Sequence, residues 1–182
     1  HLEGCITPEQ AIAIGKRNGV DLFESLEAAL SAYSVSCLEE FLEIFVKVSE
    51  VLLHVEDFAE VASAYFDSAA AQGVRHVELM FDPQAHTRRG VPIATVLEGL
   101  AKARRHATRS GLSTLLIVNF MRERSEKEAI ELLSSLVPYR SQIVALGIDS
   151  AETGHPPRKF TRLFREARAM GLKLVAHAGS EG

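Results

Sequence analysis

"STLLIVNFMRE", residues 113–123, is the stretch on which the fold turns. Leu115 to Val118 is continuously apolar and partly β-branched, and the run breaks off at Arg122 and Glu123. With apolar side chains on both alternating faces, it reads as a strand buried on both sides, the mark of a parallel sheet covered by helices. Three other runs read the same way: "VRHVELMF" (74–81), "IVALGIDS" (143–150) and "LKLVAHAG" (172–179). Each follows a helical stretch closed by glycine or by an arginine-bearing turn. The unit recurs at about thirty residues, the size of a βα step.

Every run also ends in polar or reactive residues: "FDPQ" (81–84), "NFMRE" (119–123), "DSAE" (149–152) and "HAGSE" (177–181). In an eight-fold βα barrel the active site is built from those strand ends. A doubly wound sheet also binds ligands there, but no G-x-G-x-x-G follows any of the runs. The fold class expected is therefore α/β, a partial (β/α)8 barrel of parallel strands with covering helices. A full barrel takes about 250 residues. The chain has 182, begins at His1 and stops two residues after Ser180. Residues 1–182 are expected to be the N-terminal portion of one barrel domain, cut at both ends.

The helices between the runs announce their starts. "TPEQ" offers Thr7 as N-cap, Pro8 at the first helical position and Gln10 to close a capping box. Ser36 with Glu39, and Ser125 with Glu128, repeat the device. Leu38, Phe41, Phe45, Val48 and Leu52 then recur at helical spacing, as do Phe58, Ala62, Tyr65, Phe66 and Ala69. Further helices are predicted over about 93–108 and 126–136. A last one starts at "PPRKF" and buries Phe160, Leu163, Phe164 and Ala167.

Bulk properties narrow the function by exclusion. A hydrophobic content of 47% supports a sizeable core, and a net charge of -4 gives no electrostatic reason to expect nucleic acid or an anionic membrane. The basic stretch "KARRHATRSG" (102–111) lies at the end of a helical pattern and reads as a solvated face. No apolar run approaches the ~18 residues of a membrane span, and a signal peptide is not expected. Cys5 and Cys37 form no C-x-x-C pair, so idle thiols in a reducing cytoplasm are expected.

His177 stands at the end of the last run, and "HLEG" puts His1 at what reads as another strand end. Imidazoles from neighbouring strands suit zinc, although two histidines alone are a weak metal signal. Longer motifs carry more. "HLEG", "VELMFDPQAHTRRG", "NFMRERSEKEA", "GIDSAETGHPPRKF" and "KLVAHAGSEG" resemble, in order and along the whole chain, the adenosine/adenine deaminase family. The likeness is strongest to its bacterial and fungal adenine deaminase branch.

That resemblance implies a zinc-containing (β/α)8 barrel that hydrolyses the exocyclic amine of a purine, adenine to hypoxanthine and ammonia. Residue by residue, it implies zinc ligation by His1 and His177, with the other ligands outside this sequence. Zinc lowers the pKa of water from about 15.7 towards ~7, making hydroxide available at neutral pH. The family protonates the purine N1 from a glutamate three residues after the third zinc histidine. That position is Ser180, which cannot serve as an acid near neutral pH. Glu181 is one residue late, and a one-residue shift in extended backbone points a side chain to the other face. Turnover is therefore expected to be impaired. A catalytically dead purine binder is one alternative.

The substrate side is implied by Glu3, Asp82, Asp149 and Glu152. Glu3 stands where the adenosine branch tends to carry an aspartate that meets the ribose. Glu152 stands where that branch tends to carry a glycine, so it fills sugar space and can accept a hydrogen bond from the N9–H of a free base. Adenine is preferred, with adenosine the alternative. His86 lines the pocket or stabilises a turn, and Arg122 braces the barrel mouth. His54, His76, His106 and His155 are taken as structural or exposed. The partner expected is a small purine, with a homo-oligomer left open and a cytoplasmic location.

Overall fold

The structure, a computed structural model, describes residues 1–179, so the expectations placed on Ser180 and Glu181 lie outside the described residues. Thr7 caps the first helix, α1 (Pro8–Asn18), through the complete box with Gln10: each side chain bonds the other's backbone N–H, at 3.2 and 3.1 Å. Gly19 closes it in the left-handed region at φ 68°. The helices α2 (Leu26–Ala32) and α3 (Leu38–Ser49) follow. At the start of α3 the cap slips by one place: Cys37 is the N-cap, and Ser36 donates from its N–H and hydroxyl to Glu40, not Glu39. Then come α4 (Val55–Ala71), strand β1 (His76–Phe81), the short α5 (Pro83–Thr87), α6 (Ile93–Arg109) and strand β2 (Ser113–Met121). The chain continues through α7 (Glu126–Ser135), β3 (Ala145–Asp149), α8 (Thr161–Ala169) and β4 (Lys173–Leu174). The sequence reading anticipates neither α2 nor α5; both are too short to show a period.

The chain divides into two compact units. The first comprises His1–Val77 and Ala85–Thr114 and is mostly helical. Its core is the packing of α4 on α6, with Phe58, Val61, Ala62 and Phe66 facing Val96, Leu100 and Ala103, all at most 1% exposed. Gly99 permits the close approach: a Cβ there would stand 2.5 Å from that of Phe58 and 2.6 Å from the Val55 carbonyl oxygen. In the basic stretch on α6, Lys102 bonds Glu56 and His106 bonds Asp67, while Arg104 is half-buried against Thr114. Among the described residues no helix is long and apolar enough to cross a membrane, and both cysteines are free thiols.

The second unit comprises Glu78–Gln84 and the chain from Leu115 onward. It holds the bulk of a four-stranded sheet in the order β1-β2-β3-β4. β2 pairs with β3, and β3 with β4, in parallel. An order that follows the sequence without reversal is an arc of a (β/α)8 barrel; a doubly wound sheet reverses direction at its switch point. The α/β reading is therefore the architecture found. β3 is buried at every position, and β2 at every position from Leu116 on, as their apolar runs require. β4 is formally short, yet Lys173, Val175 and His177 donate in turn to the carbonyls of Val144, Leu146 and Ile148. The ladder thus runs on to His177. Helix α8 buries Leu163 and Ala167, with Phe160 just before it, whereas Phe164 is only half-buried.

Candidate active site

In the second unit the strand ends converge on a set of polar side chains. Asn119 lies directly opposite Gly147 in the β2–β3 register. A Cβ at 147 would stand 2.2 Å from Asn119 Oδ1, so glycine is what lets this amide lie across the neighbouring strand. Asn119 Nδ2 then donates to Asp149 Oδ2 at 3.0 Å. Asp82, 2% exposed, and Asp149, 5% exposed, each bring a carboxylate oxygen within 4.8 Å of the other. Two buried acids so close form an oxygen-rich donor set suited to a cation or to several strong hydrogen-bond donors.

Arg122, at the end of β2, organises the rest. Its backbone N–H donates to the Asp149 carbonyl at 3.0 Å, and its own carbonyl accepts from Lys159 Nζ at 2.7 Å. Its guanidinium, 2% exposed, donates to the His177 carbonyl oxygen and faces the Glu152 carboxylate at 3.6 Å. One side chain therefore links the strand end bearing His177 to the loop bearing Glu152. That loop begins with Ser150 at φ 68°, a left-handed conformation unusual for a residue with a side chain and a sign of strain at this turn. The His177 imidazole is exposed, with Nε2 3.3 Å from Met80 Sδ. Gln84 completes the rim: its Oε1 accepts from the Met121 N–H, and its Nε2 donates to Glu128. That bond explains why Ser125 makes only half of its predicted capping box: Ser125 Oγ accepts from the Glu128 N–H while the Glu128 carboxylate serves Gln84.

A separate polar group lies inside the first unit. Glu3 and His86 are both fully buried, with His86 Nε2 2.8 Å from Glu3 Oε1. The Phe58 ring meets the His86 ring edge-on, 4.8 Å between centroids. Arg89 Nη2 stands 3.1 Å from His86 Nδ1, and the same guanidinium donates to the carbonyls of Ser49, Glu50, Leu52 and Ala85. Those carbonyls include the end of α3, so Arg89 fastens that helix terminus to the segment carrying His86. Burial pulls the Arg89 guanidinium below its usual value, while the nearby Glu50 opposes the shift. His1 packs its ring edge-on against Phe45, and its carbonyl accepts from Cys5 Sγ at 3.0 Å. Burial pushes the Cys5 thiol up, keeping it in the protonated, unreactive form.

Of the residues singled out from sequence, the structure brings Asp82 to Asp149, sets Glu152 and the His177 carbonyl on Arg122, and buries Glu3 against His86. Asn119, Gln84, Met80 and Arg89 escaped that reading. Asn119 had a signal, an amide inside an apolar strand run; its partner Gly147 was the other half of it.

Three comparisons with known proteins bear on this geometry. The family model described as adenosine deaminase matches residues 1–182. The adenine deaminase of Rhodospirillum rubrum is 47% identical over 184 residues, covering 100% of this chain and 55% of that protein. The chain thus spans about half the length of the curated relatives it matches. The crystal structure of the adenine deaminase from Arthrobacter aurescens superposes with a TM-score of 0.96 at 43% identity, covering 100% of this chain and 56% of that one. An amidohydrolase from Burkholderia ambifaria, with bound Zn, superposes at 0.89 with 28% identity, covering 98% of this chain and 50% of that one.

Proposed function

The chain belongs to the adenosine deaminase family of aminohydrolases, and from that premise we propose that the full-length protein hydrolyses the exocyclic amine of free adenine, releasing hypoxanthine and ammonia. The observation that carries the reading is Arg122 holding Glu152 beside the His177 strand end, in a chain so similar to adenine deaminases. The resemblance puts Glu152 where a sugar would need room, and its carboxylate is an acceptor suited to the N9–H that only a free base carries. Arg122 orients that carboxylate. Asp82 and Asp149 supply further acceptors at the strand ends, with Asn119 fixing one oxygen of Asp149.

The donor chemistry fits a metal. Within the second unit the Asp82 and Asp149 carboxylates lie close together, and an exposed imidazole, His177, ends the strand beside β3, which ends in Asp149; imidazole nitrogen and carboxylate oxygen are donors that zinc accepts. His177 and His1 are the residues assigned to hold it. When bound, zinc there supplies a hydroxide nucleophile at neutral pH. The chain's own tasks are to orient the purine through Glu152, Glu3 and Asp149 and to move a proton to N1. The second task falls to position 180, where serine can pass a hydrogen bond but cannot donate an acidic proton. Purine binding with impaired turnover is accordingly the second reading, favoured by Ser180 alone. The chain is assigned to the cytoplasm and to a small purine as its partner.

The test uses full-length protein incubated with adenine and adenosine, followed by ultraviolet absorbance and by ammonia release. Conversion of adenine in preference to adenosine supports the proposal. Adenosine as the faster substrate sinks it, and tight adenine binding without ammonia establishes the second reading.

A further inference from the structure

Beyond its contact with Glu152, Arg122 holds the main chain of His177. The His177 N–H donates to the Ile148 carbonyl at 2.9 Å, the last rung of the ladder between β3 and β4. The His177 carbonyl accepts from the Arg122 guanidinium, whose side chain is 2% exposed. Both main-chain polar groups of His177 are therefore held, one by the neighbouring strand and one by a side chain from the end of β2. Only the side-chain torsions are left to aim the imidazole.

Arg122 is itself fixed. Its N–H donates to the Asp149 carbonyl at 3.0 Å, its carbonyl accepts from Lys159 Nζ at 2.7 Å, and the Glu152 carboxylate at 3.6 Å balances its charge. The exposed imidazole and a buried carboxylate also share one side-chain cluster. His177 Nε2 lies 3.3 Å from Met80 Sδ, which lies 3.5 Å from Asn119 Nδ2, and that nitrogen donates to Asp149 Oδ2 at 3.0 Å.

We infer that Arg122 is a positioning residue for His177 as a metal ligand. By pinning the carbonyl it presents the imidazole already aimed, so less freedom is lost when a cation binds. Glu152 supplies the counter-charge that lets a fixed guanidinium stand beside a residue that holds a cation. The inference rests on the assignment of His177 as a ligand, and the cation class is one that takes imidazole nitrogen.

The experiment uses full-length protein, titrated with zinc against a competing chelator and with cobalt(II), whose visible spectrum reports ligand geometry. Arg122→Met should weaken zinc binding by about 10–100-fold, the range for the outer partners of metal ligands, and should alter the cobalt spectrum. Arg122→Lys, which keeps the charge and one donor, should recover affinity to within about tenfold of the unaltered protein. Arg89→Met removes a guanidinium that holds carbonyls in the first unit, and should leave zinc affinity within about twofold. Equal weakening by Arg122→Met and Arg89→Met would mean a general loss of stability and overturns the inference. If His177→Ala weakens zinc binding and Arg122→Met does not, the positioning role falls while the ligand assignment stands. If His177→Ala changes nothing, the assignment falls and the positioning role with it. Should Arg122→Met fail to fold, Arg122→Lys carries the affinity test. Nitrogen NMR of arginine-labelled protein then adds a check on the unaltered chain, where an Arg122 guanidinium exchanging freely with water overturns the inference.

Discussion

The two polar clusters differ in how their groups are matched. In the first unit His86 bonds both Glu3 and Arg89, Arg89 donates to a ring of backbone carbonyls, and Glu3 and His86 have no exposed side-chain surface. In the second, acceptors gather at strand ends that open outward: His177 is exposed and the Glu152 side chain keeps 20% of its surface. A polar group satisfied inside a protein rigidifies its surroundings, whereas a concentration of acceptors at a barrel's strand ends is poised for a ligand. The first cluster should therefore govern stability, the second affinity and turnover.

The largest effect expected falls at position 180. In full-length protein, Ser180→Glu should raise kcat for adenine by at least about 10², the contribution of a general acid. Glu181→Gln should matter far less in that restored background. Ordinary turnover by the unaltered protein, abolished by Glu181→Gln, would mean that the acid has moved one residue.

Next comes the closed cluster. Arg89→Met leaves the α3 carbonyls and the His86 nitrogen without their donor, and should cost about 3 kcal/mol in chemical denaturation of the full-length protein. A loss below about 1 kcal/mol would place the cluster's role elsewhere than in stability. Gly147→Ala tests the hinge between architecture and chemistry. Its Cβ displaces the Asn119 amide, so destabilisation of about 2 kcal/mol should accompany weaker adenine binding, read by denaturation and calorimetry. Unchanged adenine affinity would separate Asn119 from the site.

A smaller change is expected for Glu152→Gly, which enlarges the pocket and removes an acceptor. It should shift the kcat/KM ratio of adenosine to adenine by about tenfold towards adenosine, measured in the Ser180→Glu background. An unaltered ratio would place selectivity in other residues. The smallest effect concerns Asp57, a purely structural contrast to both clusters. Burial alone would raise its carboxyl, but bonds from Arg17, the His54 and Leu53 N–H groups and Asn18 together hold it below its usual range. Its contribution is thus present above its unfolded pKa and disappears as pH falls through the lower folded value. Asp57→Asn should flatten the acid limb of stability against pH by about 1 kcal/mol, visible in melting curves on the acid side. An unchanged acid limb would mean that other carboxylates set it.

Much of the architecture was legible because it is written in local chemistry. Thr7, Pro8 and Gln10 specify a helix start from three side chains and their own backbone. The Leu115–Val118 run specifies a doubly covered strand from polarity alone. The start of α3 shows the limit: Ser36 had two carboxylates within reach, and only the backbone direction chose Glu40 over Glu39. Family motifs likewise marked Glu3, Asp82, Asp149, Glu152 and His177 as candidates.

Which of those residues meet is a different matter, because it depends on strand register and on chain segments far apart in sequence. The Asn119–Gly147 pairing exists only once β2 and β3 align, and it alone steers an amide onto Asp149. Glu3 finds His86 across 83 positions, and Arg122 finds the His177 carbonyl across 55. The sequence by itself determined the elements, their alternation and the chemical types at each strand end. Only tertiary structure decided which acid is enclosed by its own donors and which is left facing outward, since that is settled by packing between distant segments and not by any residue's neighbours in the chain.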